Sequence, residues 1–270
     1  MSLLNWIPLE NLSWSGLSEN PNAISLLENN LDKVDWYGLS TNPNAIHILE
    51  KNPEKIDWVG LSMNPNANYL MEKNPDKLSL YWLSKNSDAF VIQNLERFPE
   101  RINWAQLSSN PDAIHILEKN PEKIVWNDLS LNPNAIHLLE KNPNKIDWAY
   151  LSNNPNAIHL LEKNLDKINW FWLSFNPNAI PLLERFPEKI NWISLTMNPS
   201  AIPLLKKNKD RIEWRCLSYN PSIFTEYYQE KSFERTDFIL EELMRNVLHP
   251  RRMLRFMELM GDEFDVNVYF

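Results

Sequence analysis

The chain has 270 residues, 43% of them hydrophobic and 23% charged, with a net charge of −8. That is material for a sizeable core; it contains no apolar run of about 18 residues to span a bilayer, and its acidity disfavours nucleic acid as a partner. Four scattered glycines (Gly16, Gly38, Gly60, Gly261) exclude Gly-rich phosphate loops and dinucleotide fingerprints, and a single Cys216 excludes a disulfide framework or a multi-cysteine zinc site.

At the N-terminus, Met1 to Glu10 lacks a basic region followed by an apolar run, so no signal peptide and no secretion are expected. Residues 1–12, with Leu3, Leu4, Trp6, Ile7, Leu9 and Leu12, read as a degenerate N-terminal cap. A repeat array follows over 13–231. Tryptophan recurs at Trp14, Trp36, Trp58, Trp104, Trp126, Trp148, Trp170, Trp192 and Trp214, with a step of 22 residues inside each run, and Asn-Pro recurs in phase. Ten copies can be counted. The fourth, near 80–98, is irregular: Leu80 holds the tryptophan position, Trp82 follows, Ser87 replaces proline, and two extra residues precede Phe98-Pro99. A bend or bulge is expected there.

Within a copy, Asn-Pro-Asn-Ala-Ile offers two helix starts. The first Asn as N-cap would put Pro181 and Pro203 at the fifth helical position, where a missing N–H costs an internal bond. The second position (Asn44, Asp112, Asn134, Asn156, Ser200 and their equivalents) holds only strong cap formers, so the second Asn is expected to be the cap. The helix then runs over about Ala45 to Lys51 and ends before Asn52-Pro53. A second cap-like residue, such as Asp35, Asp57 or Asn103, opens a one-turn helix, Trp-x-x-Leu-Ser.

Helices this short are marginal alone, so neighbouring copies must stabilise one another. The expected fold is all-α: an α-solenoid of about ten repeats, each a one-turn helix plus a two-turn helix, with terminal caps. An elongated particle is expected: ten copies at about 8–10 Å each would extend roughly 80–100 Å if straight, and less if superhelical. Residues 232–270 read as a C-terminal helical cap, with Arg245, Arg251, Arg252 and Arg255 as helix-surface charges.

The string Trp-x-x-Leu-Ser-x-Asn-Pro-Asn-Ala-Ile-His-Leu-Leu-Glu-Lys-Asn-Pro-x-Lys-Ile-Asp-Trp, best matched from Trp126 to Trp170, resembles the asparagine/proline-rich helical repeats of giant DNA virus proteins. Trp6-Ile7-Pro8-Leu9 and His249-Pro250-Arg251-Arg252 are similar to that group as well. The resemblance implies a viral protein acting in the host cytoplasm or the virion. It carries no catalytic residues.

No catalytic or metal site and no cofactor is expected from the residues. His47, His115, His137 and His159 share one repeat position, and a ladder at the pitch of packed helices cannot converge on one ion. Glu50-Lys51, Glu118-Lys119, Glu140-Lys141 and Glu162-Lys163, with Lys55, Lys123, Lys145 and Lys167, read as surface ion-pair rows. Cys216 has no local histidine to activate it.

The positions two and five after each tryptophan vary, and their spacing places them together on one face, expected to point outward. This strip becomes aromatic late in the array. The candidate partner-binding residues are Tyr150, Trp172, Phe175, Met197 and Tyr219 of this strip, with Phe171 next to Trp172. They can serve a protein partner, or be covered by the C-terminal helices, by neighbouring copies or by a second chain in a homodimer. The function expected is a non-enzymatic protein–protein interaction scaffold; the alternatives are a structural component of the virus particle and, behind it, a nucleic-acid reader or an enzyme.

Overall fold

A computed structural model describes residues 1–86 and 102–225. The irregular insertion around Ala89–Arg97, the C-terminal cap and its arginines lie outside the described residues. Residues Leu3–Phe224 form one compact body; Met1–Ser2 group apart with the chain from Thr225 onward.

The body is mostly helical, with short helices repeating about every 22 residues. Copy 6 shows the unit: a first helix Trp126–Leu131, a 3₁₀ turn Pro133–Ala135, a second helix Ile136–Lys141 and a 3₁₀ turn Pro143–Lys145. Copy 6 buries a leucine of the first helix (Leu129), the alanine (Ala135) and a leucine of the second helix (Leu139) completely, and copies 1, 2, 5, 7, 8 and 9 do the same at the equivalent positions. Proline after Asn142 stops the second helix, and Asn142 Nδ2 turns back to the Leu138 carbonyl at 2.9 Å, pairing a C-terminal acceptor the helix leaves open.

The first Asn, not the second, is the cap. Asn132 Oδ1 accepts the Asn134 N–H at 2.9 Å, and Asn110, Asn176, Asn198 and Asn220 do the same in their copies. The reason is the 3₁₀ turn inserted before the α-helix: Ala135 N–H bonds the Asn132 carbonyl, Pro133 opens the turn, and the α-helix begins only at Ile136. Pro181 therefore falls second in the helix Ile180–Arg185, where its missing N–H costs nothing. The second Asn serves the neighbour instead. Asn134, Asn156 and Asn178 donate from Nδ2 to the proline carbonyl of the preceding copy, at 2.9–3.0 Å.

The copies are joined by a buried polar ladder. Ser130 Oγ donates to the Trp126 carbonyl one turn back and accepts the Asp147 N–H of the next copy at 3.1 Å. Asn154 then donates from Nδ2 to the Ser130 and Asn132 carbonyls, at 3.0 and 2.9 Å. These carbonyls end a short helix and lie out of water, so an unfilled acceptor there would be costly. One asparagine supplies both donors. Even across the irregular fourth copy no rung is lost: Asn103 N–H reaches Ser84 Oγ at 3.0 Å, and Asn110 donates to the Ser84 and Asn86 carbonyls.

The ladder closes on itself. Asn20 of copy 1 donates to the Ser218 and Asn220 carbonyls of copy 10, both at 2.9 Å, and Ser13 N–H meets Ser218 Oγ at 2.7 Å. Asn22 Nδ2 reaches the Pro221 carbonyl, and Leu4 N–H bonds the Ile223 carbonyl. Strand β1 (Ser2–Leu3) pairs with β2 (Phe224–Thr225) beside them. First helices rest on one another from copy 1 to copy 4 and from copy 5 to copy 10, and that of copy 10, Trp214–Leu217, rests on that of copy 1, Trp14–Glu19. The elongated array expected from the sequence is corrected by this seam. Ten first helices at about 8–10 Å spacing give a circumference of about 80–100 Å, hence about 25–32 Å across at the helix axes.

Candidate interaction surface

The tryptophans open the first helices but are only half-buried. A cation covers several of them. Lys145 Nζ stands 4.3 Å from the centre of the Trp126 ring, Lys167 4.5 Å from Trp148, and Lys77 4.6 Å from Trp58. Lys145 and Lys167 thus shield indole faces rather than completing a row of Glu–Lys pairs. Between described residues, ion pairs cross from copy to copy at His47–Glu28, His137–Glu118, His159–Glu140 and Arg185–Glu162, all about half-exposed. In each, the acidic partner belongs to the preceding copy.

The expected outward strip turns out to lie partly between helices. Gly16, Gly38 and Gly60, two residues after their tryptophans, are buried. A Cβ on Gly60 would stand 2.8 Å from the Tyr37 carbonyl oxygen, and one on Gly16 would stand 2.6 Å from Ser218 Cβ and 2.9 Å from the Tyr219 ring. The position two after tryptophan therefore leans on the preceding copy's first helix. The residue directly after the tryptophan position is the more exposed: Tyr37, Val59, Tyr81 (after Leu80), Phe171 and Ile193 all face water. That position also differs from copy to copy, which was the signal available in the sequence.

The predicted partner-binding residues divide accordingly. Tyr150, Phe171, Trp172 and Phe175 come together as one aromatic cluster. Tyr150 meets Trp172 edge-on at 6.1 Å between centroids, Phe171 meets Trp172 at 5.3 Å and Phe175 at 5.4 Å, and Trp172 lies 5.8 Å from Phe175. Phe171 is 44% exposed, while the other three are half-buried behind it. Met197 and Tyr219 are half-buried and not in these ring contacts; Tyr219 packs at the seam against Gly16.

Two carboxyls of the first helices are shifted by their surroundings. Burial pushes the Asp128 carboxyl above the usual aspartate range, and Asp147 of the next copy adds to the shift. Glu19 is raised by its burial and by Asp35. The half-buried Cys216 thiol is raised by burial and by Glu213, which lowers its thiolate content and its reactivity. Among the described residues no His, Cys, Asp and Glu side chains group closely enough to hold a metal ion, and no helix is long and apolar enough to cross a membrane.

Comparison with protein-family models, curated proteins and solved structures finds no match to this chain.

Proposed function

We propose that this protein is a non-enzymatic closed α-solenoid that acts as an interaction scaffold, with Phe171 as the leading contact. The observation that carries this reading is the cluster around Phe171. An exposed ring already held edge-on by Trp172 and Phe175 loses little freedom on docking, and aromatic side chains dominate the energy of many protein interfaces. The repeat motif's resemblance to those of giant DNA viruses points to an infected host cell as the place to look for the partner. Affinity capture from such cells, with wild type beside Phe171→Ser, tests the reading. A partner held by wild type and lost by the variant is expected; the same proteins recovered with both would overturn it.

A further inference from the structure

Copies 2, 3 and 4 carry Tyr37, Val59 and Tyr81 directly after the first position of the first helix, and these are 39%, 41% and 52% exposed. The three helices, Trp36–Thr41, Trp58–Met63 and Leu80–Leu83, pack side by side, so the side chains form a row whose step is one helix spacing, about 8–10 Å. Contiguous exposed apolar groups of this kind mark contact surfaces.

Charge around the row narrows the occupant. Glu19 ends the first helix of copy 1 with its Cγ 3.0 Å from where a Cβ of Gly38 would stand, next to Tyr37. Asp35 caps the helix of Tyr37 and accepts from Ser15 Oγ at 3.0 Å; Asp57 caps the helix of Val59. The Tyr37 hydroxyl is raised by its partial burial and then by the nearby carboxylates of Glu19, Asp57 and Asp35. A partner that places lysine or arginine here gains Coulomb energy as well as apolar contact.

The step of the row narrows the conformation. In an extended strand, residues three apart point to opposite faces. In a polyproline II segment there are three residues per turn and about 3.1 Å per residue, so every third side chain falls on one face about 9 Å apart. That matches one contact per copy. Tyrosine-lined surfaces suit such segments because the ligand is ordered before it binds.

We propose that Tyr37, Val59 and Tyr81 dock a basic polyproline II segment of a partner protein, with an apolar side chain at every third residue and lysine or arginine between. This rests on the reading of the array as an interaction protein, but uses a different row of side chains from the Phe171 cluster.

The test is fluorescence anisotropy with a labelled peptide of repeating Leu-Pro-Lys, about 12 residues long, which at about 3.1 Å per residue passes all three copies. Saturable binding is expected. Tyr37→Ser/Tyr81→Ser should weaken it tenfold or more while circular dichroism and thermal melting stay unchanged, since both rings are exposed. Glu19→Gln should weaken it several-fold, and the repeating Leu-Pro-Glu peptide should not bind. Phe171→Ser should bind the peptide as wild type does, which separates this site from the aromatic cluster. No binding of the Leu-Pro-Lys peptide, equal binding of a Ser-Pro-Lys peptide, or undiminished binding by the double tyrosine variant would each overturn the proposal.

Discussion

Asn20 and Asn220 stand 200 positions apart in sequence, yet the Asn20 carboxamide donates to the Asn220 carbonyl at 2.9 Å, the same distance at which Asn154 donates to Asn132 one copy away. The seam is thus built from the same bond as the interior junctions. Asn154→Ala strands two buried carbonyls, which costs about 1–3 kcal/mol each, so a loss of about 2–6 kcal/mol is expected. Asn20→Ala should cost as much. In an array with free ends, Asn20 would have no earlier copy to serve, and its replacement would cost only the cap it gives the Asn22 N–H, about 1 kcal/mol. Urea denaturation of the two variants distinguishes these cases.

Glycine at the seam makes a second, steric statement. In an ordinary helix Gly→Ala gains up to about 1 kcal/mol. At Gly60 the new Cβ would lie 2.8 Å from a backbone oxygen, which cannot swing away as a side chain can. Gly60→Ala is therefore expected to destabilise, by about 1–3 kcal/mol as overpacked sites do. Gly16→Ala meets Ser218 Cβ and Tyr219 across the seam, so it should destabilise as well. If thermal melting finds Gly16→Ala at or above wild type while Gly60→Ala falls, the seam is looser than its interior counterparts.

Much of this was legible because a 22-residue period repeats its physics. The recurrent alanine and leucines announced the core, and Asn before proline, as at Asn52-Pro53 and Asn142-Pro143, announced where a second helix ends. Closure was not legible. It depends on a turn of about 36° per copy summed over ten copies, and no single block records the sum. The asparagines misled for a related reason: Asn42 and Asn44 are equally good cap formers, and only the turn closed by the Ala45 N–H on the Asn42 carbonyl decides that Asn42 caps while Asn44 bonds the Pro21 carbonyl next door. The outward face was misassigned by one residue because a helical wheel knows nothing of how closely Gly38 and Gly60 let the next helix approach. The aromatic grouping of Tyr150 with Trp172 did follow from their shared repeat position.

Trp148 separates burial from cation contact. The indole is half-buried with Lys167 Nζ 4.5 Å from its ring centre, so Trp148→Ala should cost about 2–4 kcal/mol, at or below the usual range for a fully enclosed aromatic. Lys167→Met should cost only about 0.5–1 kcal/mol, the size of an exposed cation–π contact. In a double-mutant cycle the lysine's contribution should vanish once Trp148 is alanine. A Lys167 effect that persists in the Trp148→Ala background would mean the lysine acts through other partners.

Asp128 gives a prediction in pH. Its folded carboxyl is raised by burial and by Asp147, against the pull of a backbone hydrogen bond, so the charged form is less welcome in the folded chain than in the unfolded one. A raised acid destabilises above its folded pKa, and that penalty is relieved as the pH falls through the folded value toward the unfolded one, about 3.9. Asp128→Asn, which cannot ionise, should be more stable than wild type near neutrality, and the two should converge at about pH 3. Because every other carboxylate titrates in both proteins, the difference between their urea midpoints isolates Asp128. A difference that is constant with pH would show that the asparagine acts through packing and that the Asp128 charge carries no penalty.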